Sequence, residues 1–159
     1  MARVMGVYDS QTGHTEEMAG AVARGARSVG AEVTVTKAGD VDFRRMAESD
    51  AVVIGSPTHF GGMSEHVKSM LVKSLRIWGE LDGKVGAAFT SSLYPAGGNE
   101  TTVLSILHAL MIHGMIVVGN STGSDSYYGG ISFGAPSGRS LSNSEELGKR
   151  VAEVANRLT

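Results

Sequence analysis

The sequence contains no cysteine. That excludes disulfides, thiolate zinc sites, iron–sulfur clusters and dithiol redox chemistry, so any electron transfer must run on a borrowed cofactor. Charge of one sign is also missing: 14 Lys and Arg stand against 16 Asp and Glu, a formal net charge of -2. The basic residues are scattered, which leaves no electrostatic footprint for nucleic acid or anionic lipid. Long hydrophobic runs are lacking too. The longest, Val103 to Gly119, is broken by His108, His113 and Gly114 and falls short of a membrane span. Met1–Asp9 is too short an apolar stretch for a secretory signal, and a cytoplasmic protein is expected. Neither a carboxylate nor a second histidine stands at ligand spacing from His14, so no metal site is expected.

What is present fits one domain spanning residues 1–159, at 42% hydrophobic and 19% charged residues. Five short runs read as strands: Val4–Tyr8, Glu32–Thr36, Ala51–Gly55, Val85–Thr90 and Met115–Val118. The first, third and fourth are nearly continuous in apolar character, as strands buried on both faces should be. Helical periodicity fills the gaps. Thr15–Ser28 carries Met18, Val22 and Ala26 on one side, and Ser64–Leu75 aligns Val67, Met70, Leu71 and Leu75. Thr102–His113 repeats Val103, Ile106, Leu107, Leu110 and Met111, and a short helix is expected over Phe43–Ala47. A last helix is expected to open at Ser142, with Glu145 completing a capping box, and to bury Leu147, Val151, Val154 and Leu158. Alternation of this kind predicts a doubly wound α/β fold, a parallel sheet with helices on both faces and right-handed crossovers.

In such folds ligands sit outside the carboxyl ends of the strands, near the point where strand order reverses. Three segments qualify. Asp9-Ser10-Gln11-Thr12-Gly13-His14-Thr15 offers backbone N–H groups and hydroxyls at a helix start, which suits a phosphate. It has neither the spacing of a Walker lysine loop nor GxGxxG, so nucleoside triphosphate hydrolysis and a dinucleotide fingerprint are both disfavoured. Ser56-Pro57-Thr58-His59-Phe60-Gly61-Gly62-Met63 presents an aromatic beside two glycines, and Thr90 through Glu100 is again polar and glycine-rich. Together the three describe a mononucleotide site with a phosphate pocket and a ring slot.

Four motifs in order, SQTGHT at 10–15, PTHFGGM at 57–63, FTSS…GGNETT at 89–102 and HGM at 113–115, resemble the WrbA-type flavoproteins, which are flavodoxin-like NAD(P)H:quinone oxidoreductases. The likeness runs from Val4 to about Gly119, with Tyr127–Gly130 and Phe133–Ala135 similar to the family's late loop. It implies a flavodoxin-like five-stranded parallel sheet of order 2-1-3-4-5 that binds FMN, takes NADH or NADPH as co-substrate and reduces a quinone, as a homodimer or homotetramer. By the same resemblance Ser10, Gln11, Thr12, Gly13, His14 and Thr15 would hold the FMN phosphate. Pro57, Thr58, His59, Phe60 and Gly61 would lie against the isoalloxazine, and Thr90, Ser91, Ser92, Leu93, Gly97 and Gly98 would wrap its other edge. His113 would line the ring pocket or reach a flavin from a neighbouring subunit, Trp78 would stand near the substrate, and Thr12 would touch the nicotinamide nucleotide. Protons for the hydroquinone would come from water or His113. His59 and Gly62 stand where the family usually has Arg and Asn, and the chain is shorter than typical members between its second and third strands. Two alternatives remain: a one-electron flavodoxin carrier and a non-catalytic flavin-binding regulator.

Overall fold

The computed structural model describes all residues 1–159. In chain order the elements are β1 (Arg3–Tyr8), α1 (His14–Ser28), β2 (Glu32–Lys37), α2 (Phe43–Glu48), β3 (Ala51–Pro57), α3 (Glu65–Lys73), β4 (Val85–Ser92), α4 (Asn99–Ile112), β5 (Ile116–Val117), β6 (Gly130–Phe133) and α5 (Gly138–Leu158). The strands run parallel in the order β2-β1-β3-β4-β5, and β6 also pairs with β4. This is the doubly wound sheet that the alternation predicts, in the strand order that the family resemblance implies.

The fifth position of the sheet departs from the expected single strand Met115–Val118. It is filled by two pieces: β5 pairs with Val85 and Gly86 at the start of β4, and β6 pairs with Phe89–Ser92 at its end. The glycine-rich stretch between them loops outward. It is tied back by the Asn120 N–H, which donates to Tyr127 O at 3.0 Å, and by the Asn120 side-chain amide, which donates to Ser126 O at 3.0 Å. β6 has only four residues of mixed polarity, Gly-Ile-Ser-Phe, so no apolar run announced it.

Two cores flank the sheet. On one face α1 and α5 cover Val4, Val53, Ala87 and the fully buried Phe89 through Met18, Val22, Leu147 and Val151. On the other, α2, α3 and α4 cover Met5, Val52, Ile54 and Ala88 through Met46, Val67, Met70, Ile106 and Leu110. Burying each such large side chain is worth about 1.5–3 kcal/mol relative to exposure. Helices α1 and α5 cross closely at Gly25 and Gly148. A methyl group on either would overlap the other helix's backbone, at Glu145 and Val22 respectively.

Three helix ends differ from expectation. α5 begins at Gly138, with Ser137 and Ser140 forming a reciprocal capping box, not at Ser142. Ser140 stands where the usual box has Glu or Gln, which hides it from pattern reading. Glu145 instead forms an ion pair with Arg24 at 2.7 Å. α4 starts at Asn99 because Gly98, at φ 94°, closes the preceding turn. α3 ends at Lys73 and passes into a tight turn over Ser74–Ile77. Leu75, Met111 and Leu158, expected inside, are exposed, and Val154 is half-buried.

Candidate functional site

The carboxyl ends of β1, β3 and β4 lie side by side, with Tyr8 opposite Gly55 and Ser56 opposite Thr90. The three sequence segments meet there through direct contacts. Thr15, in the first turn of α1, shares a 2.7 Å buried hydroxyl–hydroxyl bond with Ser91 at the end of β4. Thr58 shares another, 2.9 Å, with Thr90, and the Thr58 N–H donates to Ser91 O at 2.8 Å. Gly61 and Gly98 approach so closely that a methyl on Gly98 would stand 2.7 Å from the Gly61 Cα. β3 and β4 extend further than expected, so Pro57, Ser91 and Ser92 belong to strands, which hold them rigidly rather than in loops.

The helix starts differ in how they are capped. α2, α3 and α5 are capped by the side chains of Asp42, Ser64 and Ser137, whereas α1 and α4 begin after glycines in the left-handed region, Gly13 and Gly98, with no side-chain cap. The first N–H groups of an α-helix have no intrahelical acceptor. At α1 the Glu17 N–H is the first to find one, on Gly13 O. The N–H groups of His14, Thr15 and Glu16 are therefore left as donors at the positive end of a 15-residue helix, a suitable cradle for a phosphate. Ser10 Oγ accepts from the Gly13 N–H at 3.1 Å and shapes the loop, and no atom lies within 4 Å of a Cβ built on Gly13.

Asp9 would repel an anion here, but its charge is turned away. Its Oδ2 accepts from Ser64 Oγ at 2.6 Å and lies 3.4 Å from His66 Nδ1. Ser64 donates to the carboxylate and not to a histidine, so the trio is an anchor between β1 and α3, not a nucleophilic arrangement. Asp9 and Ser64 are site-shaping residues that residue-type reasoning passed over; the signal was their position, one immediately after β1 and the other at the start of a helix.

On the other side, His59 and Gly62 exchange two 3.0 Å backbone hydrogen bonds. This hairpin puts Phe60 at φ 50°, the only non-glycine residue with positive φ, and its ring is fully exposed. Such backbone strain, typically about 1–3 kcal/mol, persists only where surrounding contacts enforce it. Leu93, Tyr94 and Gly97 form an exposed rim opposite.

His113 and Trp78 are not at this rim. His113 directly follows α4, and its neighbour Gly114 accepts through O from the Gly83 N–H at 3.0 Å, next to the start of β4. With about 3.3 Å per residue along β4, roughly 20 Å separates them from their own chain's three segments. The expectation that His113 lines its own ring pocket is therefore corrected, and the same holds for Trp78. Trp78 lies 5.6 Å from His113 between ring centroids, in a shallow apolar surface also lined by Leu71, Val72, Leu75 and Ile112. His113 is 8% exposed. Ser74 Oγ donates to Leu71 O at 2.6 Å and meets His113 Nε2 at 2.7 Å. The serine has one proton, so Nε2–H is the donor to Ser74, and Nδ1 is left as a buried acceptor without a partner. Burial holds the imidazole pKa below its usual value, which makes it a neutral acceptor and a poor source of protons.

Flavodoxin is the family whose sequence pattern matches, over residues 7–131. A protein of Archaeoglobus fulgidus named NAD(P)H dehydrogenase (quinone) is 42% identical over 190 aligned positions, covering 99% of this chain and 100% of that protein. One of the same name from Acidovorax ebreus is 36% identical, covering 99% of this chain and 98% of its own. Against 190 aligned positions, the 159 residues here leave at least 31 without a counterpart. Among solved structures, the flavodoxin-fold WrbA-like protein from Agrobacterium tumefaciens superposes with a TM-score of 0.86 at 28% identity, over the whole of both chains. An archaeal flavodoxin superposes at 0.82 and 26% identity, over 97% of this chain and 99% of its own.

Proposed function

This chain belongs to the flavodoxin family, together with the NAD(P)H dehydrogenase (quinone) proteins, and from that membership we propose an FMN-dependent NAD(P)H:quinone oxidoreductase. The reaction is NAD(P)H + H⁺ + quinone → NAD(P)⁺ + hydroquinone. Bound FMN supplies the hydride-accepting and hydride-donating ring; the protein supplies position and environment.

The observation that carries this reading is the uncapped amino terminus of α1, locked against β4 by the Thr15–Ser91 hydrogen bond. Its free N–H groups, with Ser10, Gln11, Thr12, Gly13, His14 and Thr15, bind the phosphate. Pro57, Thr58, His59, Phe60 and Gly61 support the ring on one side, and Thr90, Ser91, Ser92, Leu93, Gly97 and Gly98 on the other. His59 stands here in place of the family's usual arginine. Thr12 is exposed beside this site, where a nicotinamide nucleotide would approach.

His113 and Trp78 serve the ring of a second copy. They sit with the exposed Val72, Leu75 and Ile112 on one apolar surface, of the kind that marks an interface. A homodimer or homotetramer would cover it and bring the exposed Trp78, with His113 packed behind it, to a neighbour's site. Protons then come from water. No helix is long and apolar enough to cross a membrane, and the protein acts in the cytoplasm.

The decisive test is the visible spectrum of purified protein, before and after anaerobic addition of NADH and of NADPH, followed by benzoquinone. Yellow protein bleached by a nicotinamide nucleotide and reoxidised by quinone, turnover after turnover, is the expected result. Yellow protein that neither nucleotide bleaches would overturn the enzyme reading in favour of a carrier or a flavin-binding regulator.

A further inference from the structure

The phosphate cradle at the start of α1 stands in acidic surroundings. Residues 9–17 contain three carboxylates, Asp9, Glu16 and Glu17, and neither that segment nor residues 56–63 and 90–100 contain a Lys or Arg. Acidic side chains in a first turn suit a helix without a ligand, because they complement the positive end of its dipole. The same charges oppose a bound phosphate and compete with it for the free N–H groups. Glu17 lies past the last of those groups, since its own N–H already bonds Gly13 O. Asp9 opens the loop and Glu16 carries the last free N–H, so these two matter most.

Each of the two is hydrogen-bonded to a buried hydroxyl. Tyr8, at the end of β1 and 7% exposed, donates its phenolic proton to Glu16 Oε1 at 2.8 Å. Burial first, and then the Glu16 carboxylate itself, push the phenol pKa up to about 12, which keeps that proton in place. Ser64, 1% exposed, donates to Asp9 Oδ2 at 2.6 Å. It is pinned in turn: its N–H donates to Ser56 Oγ on β3 at 2.8 Å, and its Oγ accepts from the Val67 N–H at 3.3 Å. His66 Nδ1, 3.4 Å from the same Asp9 oxygen, adds a more exposed contact. Two hydroxyls from separate elements thus hold both carboxylates by one oxygen each.

We propose that Tyr8 and Ser64 are positioning residues for the flavin phosphate: by holding Glu16 and Asp9 they keep the α1 terminus open to an anion, and so set the preference for FMN over unphosphorylated riboflavin. This rests on the FMN reading above. Tyr8 and Ser64 act through the carboxylates they hold, not on the phosphate itself. The effect is electrostatic, so it follows the charge of the held side chain and weakens as salt screens it. Loss of either hydroxyl frees one carboxylate to swing toward the N–H groups of His14, Thr15 and Glu16.

Fluorescence titration of the flavin-free protein with FMN and with riboflavin tests this. At low salt Tyr8→Phe and Ser64→Ala should each weaken FMN binding about fivefold, as a unit charge brought nearer an anion at a wet surface would, and leave riboflavin binding within about twofold of wild type. Tyr8→Phe/Glu16→Gln and Ser64→Ala/Asp9→Asn should recover wild-type FMN affinity, because the released side chain no longer carries charge. A lost α3 cap or a loosened core would not be recovered this way. The deficits of the single variants should fade in about 1 M salt, where the screening length is only about 3 Å. Should Ser64→Ala not fold, the nearly isosteric Tyr8→Phe decides alone. Equal losses for both flavins, double variants no better than the singles, or unchanged FMN affinity in a folded single variant would overturn the proposal, as would a wild type that binds both flavins equally well. Should the wild type bind neither flavin, the FMN reading fails, and inorganic phosphate then judges the cradle by itself. Phosphate binding weakened in Tyr8→Phe and recovered in Tyr8→Phe/Glu16→Gln supports the positioning role, and no phosphate binding to the wild type overturns it.

Discussion

Thr15 and Ser91, 76 positions apart in sequence, share a 2.7 Å hydrogen bond between hydroxyls that solvent does not reach. Each hydroxyl would be a stranded polar group without the other, so the pair locks α1 onto the end of β4 and sets the shape of the phosphate cradle. Thr15→Val should cost about 1–3 kcal/mol in unfolding free energy, because it leaves Ser91 unpaired. The Thr15→Val/Ser91→Ala double variant should be less destabilised than the sum of the two singles. Urea titrations of the four proteins measure this directly, and strict additivity would deny the coupling.

Gly13 stands at φ 90° with open space around a would-be Cβ. Gly13→Val therefore meets backbone strain and not a clash, and the loop should relax away from its present path. The protein should remain folded but lose FMN affinity by at least tenfold, as followed by flavin fluorescence on titration. Wild-type affinity in a folded Gly13→Val protein would remove the α1 terminus from the phosphate site.

Gly148→Ala tests the helix crossing. Its new methyl group meets the backbone carbonyl of Val22, which no side-chain rotation relieves. Overpacking of this kind typically costs about 1–3 kcal/mol, and the midpoint of chemical unfolding should fall accordingly, with little change in flavin spectrum.

His113 makes stability depend on pH. Burial lowers its folded-state pKa, so the folded protein resists a proton that the unfolded chain accepts near the ordinary value of about 6.5. Its contribution is complete above that value and is lost as pH falls from there toward the folded-state pKa. His113→Gln should flatten the stability profile between pH 7 and 5. A profile of identical slope in the variant would refute the assignment.

The apolar surface around Trp78 is expected to join copies. Leu75→Glu combined with Ile112→Glu should shift the protein to monomer in sedimentation while FMN stays bound, and quinone turnover should fall with assembly. Monomeric wild-type protein would contradict the shared site.

Much of this was legible from residue patterns because the central strands are so apolar. AVVIG and VGAAFT read as strands buried on both faces, and the crossovers followed from the helices between them. The meeting of three polar segments was legible for the same reason, since parallel order brings strand ends to one rim. The split edge was not. Four residues of mixed polarity, Gly130–Phe133, become a strand only because the end of β4 offers them a ladder, and nothing local encodes that. Ser137 and Ser140 escaped notice because their box lacks the acidic partner, and Leu75 looked like core because its spacing continues α3 past the turn that ends it. His113 matched its motif but lies at the opposite end of the sheet, a matter of distance that a one-dimensional pattern does not contain.

The interrupted fifth position also bears on how this chain behaves in crowded solution. A long, flat border strand offers a row of vacant amide partners to any stray polypeptide, and proteins suppress such templates by keeping them short or polar. Here one border is cut into a pair of residues and a quartet, and the other reads Glu-Val-Thr-Val-Thr-Lys, with charge at both ends. Neither margin gives a runaway fibril a place to start.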